Sequence, residues 1–138
     1  MKKITGCLLA WMCLLLLAAC GREDAEETDR MKVYYVSNSE TKVEMHEVEM
    51  QSAEESARLQ ELMDCLSTSP EMLEYKAPLD MGFKVLGTKL EEGNLSIDVD
   101  AAYNNLPVMT EVLVRAAVVR TLTQLPDVKL VMITVEGN

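Results

Sequence analysis

Histidine is nearly absent from this sequence. His46 is the only one. A lone imidazole leaves a metal no second nitrogen ligand and allows no Ser-His-Asp set away from that position, so His46 reads as a partly exposed strand residue. Aromatic side chains are also scarce. Beyond the leader only Tyr34, Tyr35, Tyr75, Tyr103 and Phe83 remain, too scattered to form a glycan platform. No glycine-rich loop of the phosphate-cradling kind occurs. Two of the four cysteines, Cys7 and Cys13, lie in the leader, and a third, Cys20, follows it directly. Cys65 is then the one thiol left to the folded part, which excludes a disulfide framework and a cysteine metal cluster. Its neighbours Leu62 and Leu66 mark it as an inert, buried small hydrophobe rather than a reactive thiol. Positive charge is short as well. The formal net charge is -10, and it falls to −12 once Lys2 and Lys3 are removed. A surface this acidic disfavours nucleic acid and anionic lipid headgroups, and it suits a basic protein partner.

What is present begins with a secretory leader over residues 1–19. Lys2 and Lys3 form its basic end, and Leu8 to Leu17 form an apolar run too short to span a bilayer. Leu17-Ala18-Ala19-Cys20 resembles the bacterial lipobox. That resemblance implies cleavage before Cys20, a diacylglycerol thioether on its sulfur and an added N-acyl chain such as palmitate. Two or more acyl chains hold a protein stably on a membrane. Residues 20–31 are polar, charged and without apolar period, as expected of the lipidated cysteine and a flexible tether. Residues 32–138 form the candidate domain.

That domain is organised around the stretch from Thr110 to Val135. Thr110 is a good N-cap, and Glu111 places negative charge in the first turn. Val112, Leu113, Ala116, Ala117, Val119, Leu122 and Leu125 give an apolar face at helical spacing. Pro126 ends the helix. Leu130 to Val135 follows as a β-branched-rich strand. Such a face needs a sheet to cover it.

The preceding segments supply that sheet. Lys32 to Ser37 reads as a strand, Asn38 to Thr41 as a turn, and Lys42 to Met50 as a second strand with a bulge near His46-Glu47. Ser52-Ala53-Glu54-Glu55 has the form of a capping box. It opens a helix to about Leu66, with Ala53, Ala57, Leu59, Leu62, Met63 and Leu66 inward. Glu71 to Met81 reads as a loop of weak helical character. Phe83 to Leu90 and Leu95 to Val99 form a hairpin in which Gly93 and Asn94 supply the positive φ. Leu95, Ile97 and Val99 face inward, while Ser96, Asp98 and Asp100 face solvent. The resulting order, β-β-α-β-β-α-β, specifies an α+β fold with two helices packed on one face of a mostly antiparallel sheet.

Several of these segments resemble one family. They are Pro78-Leu79-Asp80-Met81-Gly82-Phe83-Lys84-Val85-Leu86, Glu92 to Val99, Val118 to Lys129 and Ile133-Thr134-Val135-Glu136-Gly137. Together they are similar to the GerMN domain of sporulation and germination lipoproteins, over roughly Lys32 to Asn138. The most specific piece is Arg120-Thr121-Leu122-Thr123-Gln124-Leu125-Pro126. Members usually have Gly-Pro where this chain has Ser69-Pro70. They also continue past the Val-x-Gly strand into a further hairpin, whereas this sequence stops at Asn138. The resemblance implies an extracytoplasmic, membrane-anchored module that works through contacts with other envelope proteins. It implies no catalytic residues, metal or cofactor. Two alternatives are an envelope lipoprotein that binds a small ligand or the cell wall, and a hydrolase built on carboxylates such as Asp98 and Glu92.

Overall fold

The computed structural model describes residues 29–71 and 74–138. The leader, Cys20 and the tether as far as Thr28 lie outside the described residues. In chain order the elements are β1 (Arg30–Ser37), β2 (Val43–Glu49), α1 (Glu55–Ser67), β3 (Tyr75–Lys76), β4 (Val85–Glu91), β5 (Asn94–Val99), a 3-10 turn (Ala101–Asn105), α2 (Val108–Leu122) and β6 (Leu130–Val135). The α+β class, the two helices and the largely antiparallel pairing agree with the sequence reading. The strands, however, divide into two three-stranded sheets, ordered β2-β1-β3 and β4-β5-β6.

In the first sheet β1 is central. It pairs antiparallel with β2 from Arg30↔Glu49 to Val36↔Val43 in unbroken register. The bulge expected near His46-Glu47 is therefore absent. His46 lies directly opposite buried Val33, and Val48 and Met50 follow on the same side of the strand, while Met45 is exposed. The apolar residues alone suggested two faces because the inward position between them carries an imidazole. The segment read as a loop holds the short strand β3, paired through Lys76 and Tyr75 to Val36 and Ser37. Two residues are too few to leave a periodic signal.

In the second sheet β5 is central, antiparallel to β4 and parallel to β6. The β4–β5 turn is Glu92-Gly93, with φ of 52° and 87°, in place of the expected Gly93-Asn94. Two successive positive φ values suit the right-handed twist of a two-residue hairpin. The shift in register between Val85 and Gly87 is a bulge. Leu95, Ile97 and Val99 are fully buried, as their alternation predicts. Parallel neighbours need a crossover, and α2 supplies it.

Both helices serve one core, in which Val33 and Tyr35 of β1, Leu62 and Leu66 of α1, the inward face of β5, and Val114, Val118 and Leu122 of α2 meet. The capping box of α1 does not form. Glu54 holds the N-cap position with no side-chain bond, and Ala53 lies exposed outside the helix. The local residues bond elsewhere: Arg58 Nε donates to Ser52 O at 2.8 Å and pairs with Asp29, and Gln51 N donates to Glu61 Oε2 at 2.8 Å. Tertiary partners thus displaced the local cap. Asp29, Arg30 and Met31, on the tether side of the sequence boundary, are part of the folded unit through Asp29 and β1.

Candidate interaction surface

Helix α2 decides where this surface lies. It starts at Val108 after Pro107, earlier than a Thr110 cap requires. Thr110 is instead a buried residue of the first turn, and its Oγ1 donates to Glu40 Oε2 at 2.6 Å. Glu40 sits in the β1–β2 turn at φ 51° and also accepts from Lys76 Nζ at 2.7 Å. The Lys76 ammonium and then the Thr110 hydroxyl hold the Glu40 carboxyl below the usual carboxylate range. One side chain thereby ties the hairpin turn, β3 and the start of α2 together.

The inward face of α2 consists of Thr110, Val114, Ala117, Val118, Thr121 and Leu122. This differs from the sequence expectation. Ala117 and Leu122 are inward as expected, and Leu125 beyond the helix is buried too. Val112 is 53% exposed and Val119 38%. An α-helix that is apolar nearly all round offers periodicity no basis for choosing a face. The choice is made by two threonines, which are buried because each has a tertiary hydrogen bond.

The second of them explains the most specific sequence motif. Thr121 Oγ1 donates to Ala117 O at 2.8 Å and accepts from Tyr34 N at 3.0 Å. Three residues later, Gln124 Oε1 accepts from Lys32 N at 3.0 Å and its Nε2 donates to Lys32 O at 2.6 Å. The side-chain amide stands in for the peptide of a neighbouring strand. Arg120 lays its guanidinium 4.3 Å from the Tyr34 ring centroid, a cation–π contact. Arg120, Thr121 and Gln124 therefore close the edge of β1 that β3 leaves uncovered, and Leu122 and Leu125 drive the same segment into the core. An edge closed this way does not continue into the second sheet.

The outward side of α2 remains. Val108, Met109, Val112 and Val119 are exposed there. Across the Arg120–Tyr34 contact, Met45 is exposed directly opposite Tyr34 on β2. The four α2 side chains present on the order of 300 Å² of apolar surface, within the size range of functional patches on soluble monomers. Arg115 and Arg120 flank them. Arg115 Nε donates to Glu111 Oε1 at 2.9 Å, one helical turn away.

The residues considered for chemistry are engaged in structure. Asp98 Oδ1 accepts from Thr134 Oγ1 at 2.9 Å and Gly137 N at 2.8 Å. Asp100 caps the 3-10 turn by accepting from Ala102 N at 3.2 Å. Glu92 is at the far end of β5 from Asp98, at least about 13 Å along the strand, beyond the carboxylate separation of either glycosidase type. His46 packs edge-on against Tyr75 at 4.7 Å and Tyr35 at 5.6 Å. Phe83 and Tyr103 form a second edge-to-face pair at 5.0 Å. Tyr35, Phe83 and Tyr103 are all buried. Cys65 is half-buried against the core, and burial first, with Asp64 and Glu61 adding, pushes its thiol up. A crevice of about 230 Å³ between α1 and β4 is lined by Leu59, Leu90, Leu125 and Val128, with Glu55 and Asp127 at its rim.

The sequence profile of the Germane family, described as sporulation and spore germination, matches residues 32–138. Among solved structures, the first GerMN domain of the sporulation protein GerM from Bacillus subtilis superposes with a TM-score of 0.60 at 16% identity, covering 79% of this chain and 84% of that one. The tandem GerMN domains of the same protein give 0.54 at 20% identity, over 86% of this chain and 43% of that one, so this chain spans less than half of the tandem form. A candidate lipoprotein from Clostridium perfringens gives 0.50 at 16% identity, over 79% and 76%. No curated protein matches the sequence. A profile match across residues 32–138, on a fold shared with solved GerMN domains, places this chain in the Germane family of sporulation and spore germination as a GerMN-domain protein.

Proposed function

We propose that this protein is an extracytoplasmic lipoprotein, anchored through acylated Cys20, whose GerMN domain contacts other envelope proteins during sporulation or spore germination and catalyses no reaction. The outward apolar face of α2 carries this reading. Nothing in the helix's own fold uses Val108, Met109, Val112 or Val119, and each is a side chain that water disfavours. The Leu17-Ala18-Ala19-Cys20 sequence supports the anchor. No described helix is long and apolar enough to cross a membrane, so attachment through lipid fits better than a spanning segment among those residues. From Cys20 to Asp29 the chain extends at most about 30 Å. The α2 face therefore works close to the membrane, on partners that are themselves membrane-bound or membrane-proximal.

The test is recovery of partners with the tagged full-length chain from detergent-solubilised membranes, before and during sporulation. The expected result is one or more envelope proteins held by the native chain and lost on Val112→Glu/Val119→Glu. A Cys20→Ala chain should leave the membrane fraction. Recovery of no protein in either state, with a bound metabolite instead, rejects the contact reading. A Cys20→Ala chain that stays membrane-bound rejects the anchor.

A further inference from the structure

The crevice between α1 and β4 has an apolar floor that the fold leaves uncovered. Leu90 lies opposite Leu95 in the β4–β5 ladder, so the two side chains share the core face of the second sheet. Leu95 is fully buried, yet Leu90 is 38% exposed. Helix α1 packs against β1 and α2, and α2 against β1, β2 and β6, which leaves this end of β4 without a helix over it. Leu59 of α1 and Leu125 and Val128 of the α2–β6 turn close the other sides.

The walls are held apart by hydrogen bonds. Glu55 Oε1 accepts from Asp127 N at 2.7 Å, which ties the start of α1 to the α2–β6 turn. Lys129 N donates to Gly93 O at 2.8 Å, which ties that turn to the β4–β5 hairpin. The crevice is therefore formed before anything enters it. At about 230 Å³ it falls below the roughly 300–1,000 Å³ of small-molecule sites, and it suits one apolar side chain. All of its walls come from the interior of the chain.

The rim is acidic. No lysine or arginine lines the crevice, whereas Glu55 and Asp127 do. A more open notch of about 260 Å³ shares Leu90 and Asp127 and continues along the β4–β5 turn past Glu92. Lys129 also borders that notch, with its stem laid over Gly93. The Asp127 and Glu92 carboxylates have no cationic partner among the described residues. The net charge of the chain, -10, adds a field of the same sign.

We infer that this crevice docks a basic peptide segment of another protein. One apolar side chain of the segment sits among Leu59, Leu90, Leu125 and Val128, and neighbouring lysines or arginines lie on Asp127 and Glu92. The buried anchor supplies most of the affinity. Each exposed ion pair adds little, but together they set the charge the segment must carry. Residues 21–28 do not fit as the occupant. Their largest apolar side chain is Ala25, and Glu23, Asp24, Glu26 and Glu27 repel the rim.

The test is binding of labelled peptides to the full-length chain in neutral-detergent micelles. Fluorescence anisotropy against empty micelles measures it, and hydrogen exchange locates it. The probe is a peptide with one leucine between lysines. Its counterparts carry alanine for the leucine, or glutamate for the lysines. The leucine–lysine peptide should bind saturably and slow exchange in segments 55–59, 88–93 and 125–129. The alanine peptide should bind about tenfold more weakly, because most of the buried anchor is gone. The glutamate peptide should not bind measurably. Asp127→Asn should weaken binding about two- to fivefold. Leu90→Lys, at a partly exposed edge position, should abolish it, with the melt confirming that the chain still folds. No saturable binding, equal binding of the alanine or glutamate peptide, or protection over 108–119 instead overturns the inference. Protection of the crevice segments that rises with protein concentration alone makes a second copy the occupant and overturns it too. Val112→Glu/Val119→Glu should leave peptide binding unchanged, so the fate of this site and that of the α2 contacts are read separately.

Discussion

Replacing Thr121 with valine isolates the device that divides the sheets. Valine has the shape of threonine, so the fully buried site keeps its volume. Two hydrogen bonds go. The bond from Thr121 Oγ1 to Ala117 O costs little, because that carbonyl already accepts within the helix. The bond from Tyr34 N costs more, because this part-buried donor has no other acceptor among the described residues. A buried donor left unpaired costs about 1–3 kcal/mol, and the extra methyl returns somewhat under 1 kcal/mol. The expected net loss is about 1–2 kcal/mol, or about 5–10 °C in melting temperature for a domain of this size. Gln124→Ala removes more bonds to β1 but should cost less, under about 1 kcal/mol, because the Lys32 peptide is exposed and water replaces the amide. Urea denaturation measures both losses, and native-state hydrogen exchange should show the Tyr34 amide losing protection in Thr121→Val and keeping it in Thr121→Ser. If Gln124→Ala is the more damaging change, burial of the unpaired Tyr34 donor is not what sets the cost; if Thr121→Val leaves stability and the Tyr34 amide untouched, Thr121 is not what closes the edge of β1.

Two further outcomes are expected. Val112→Glu on the outward side of α2 should leave stability within about 0.5 kcal/mol, while Leu122→Ala on the inward side should cost about 2–5 kcal/mol, both read by urea midpoint; a larger loss for Val112→Glu would mean that the helix is turned the other way. The Glu40 carboxyl has a folded pKa below its unfolded value, so its contribution is present above the unfolded carboxylate range and is lost as pH falls through the folded value. Glu40→Gln should therefore be less stable than the native chain at neutral pH, with the difference shrinking on acidification. A difference that is flat with pH would place the effect in the φ 51° turn rather than in the Lys76 and Thr110 bonds.

The elements that read well from the sequence are those whose signal is local. Leu130–Val135 was legible to the residue from its β-branched run, and Leu95, Ile97 and Val99 from strict alternation against Ser96 and Asp98. The two helices, the hairpin after Val85 and the α+β class followed from period and turn chemistry. The family resemblance was legible for the same reason, since its motif is a contiguous run from Arg120 to Pro126.

What the sequence left open depended on groups far apart in the chain. Thr110 looks like a cap until Glu40 is placed beside it, 70 positions away, and Thr121 has no place in the apolar period until Tyr34 N needs an acceptor. The apolar content of α2 told that the helix is sticky, not which side is buried, because near-uniform hydrophobicity has no phase. The sequence by itself determined the elements, since backbone preferences and apolar period act within a few residues. Tertiary structure alone decided which face of α2 is left exposed and why the strands form two sheets, because an unpaired backbone donor must be met by whichever distant side chain the fold brings to it.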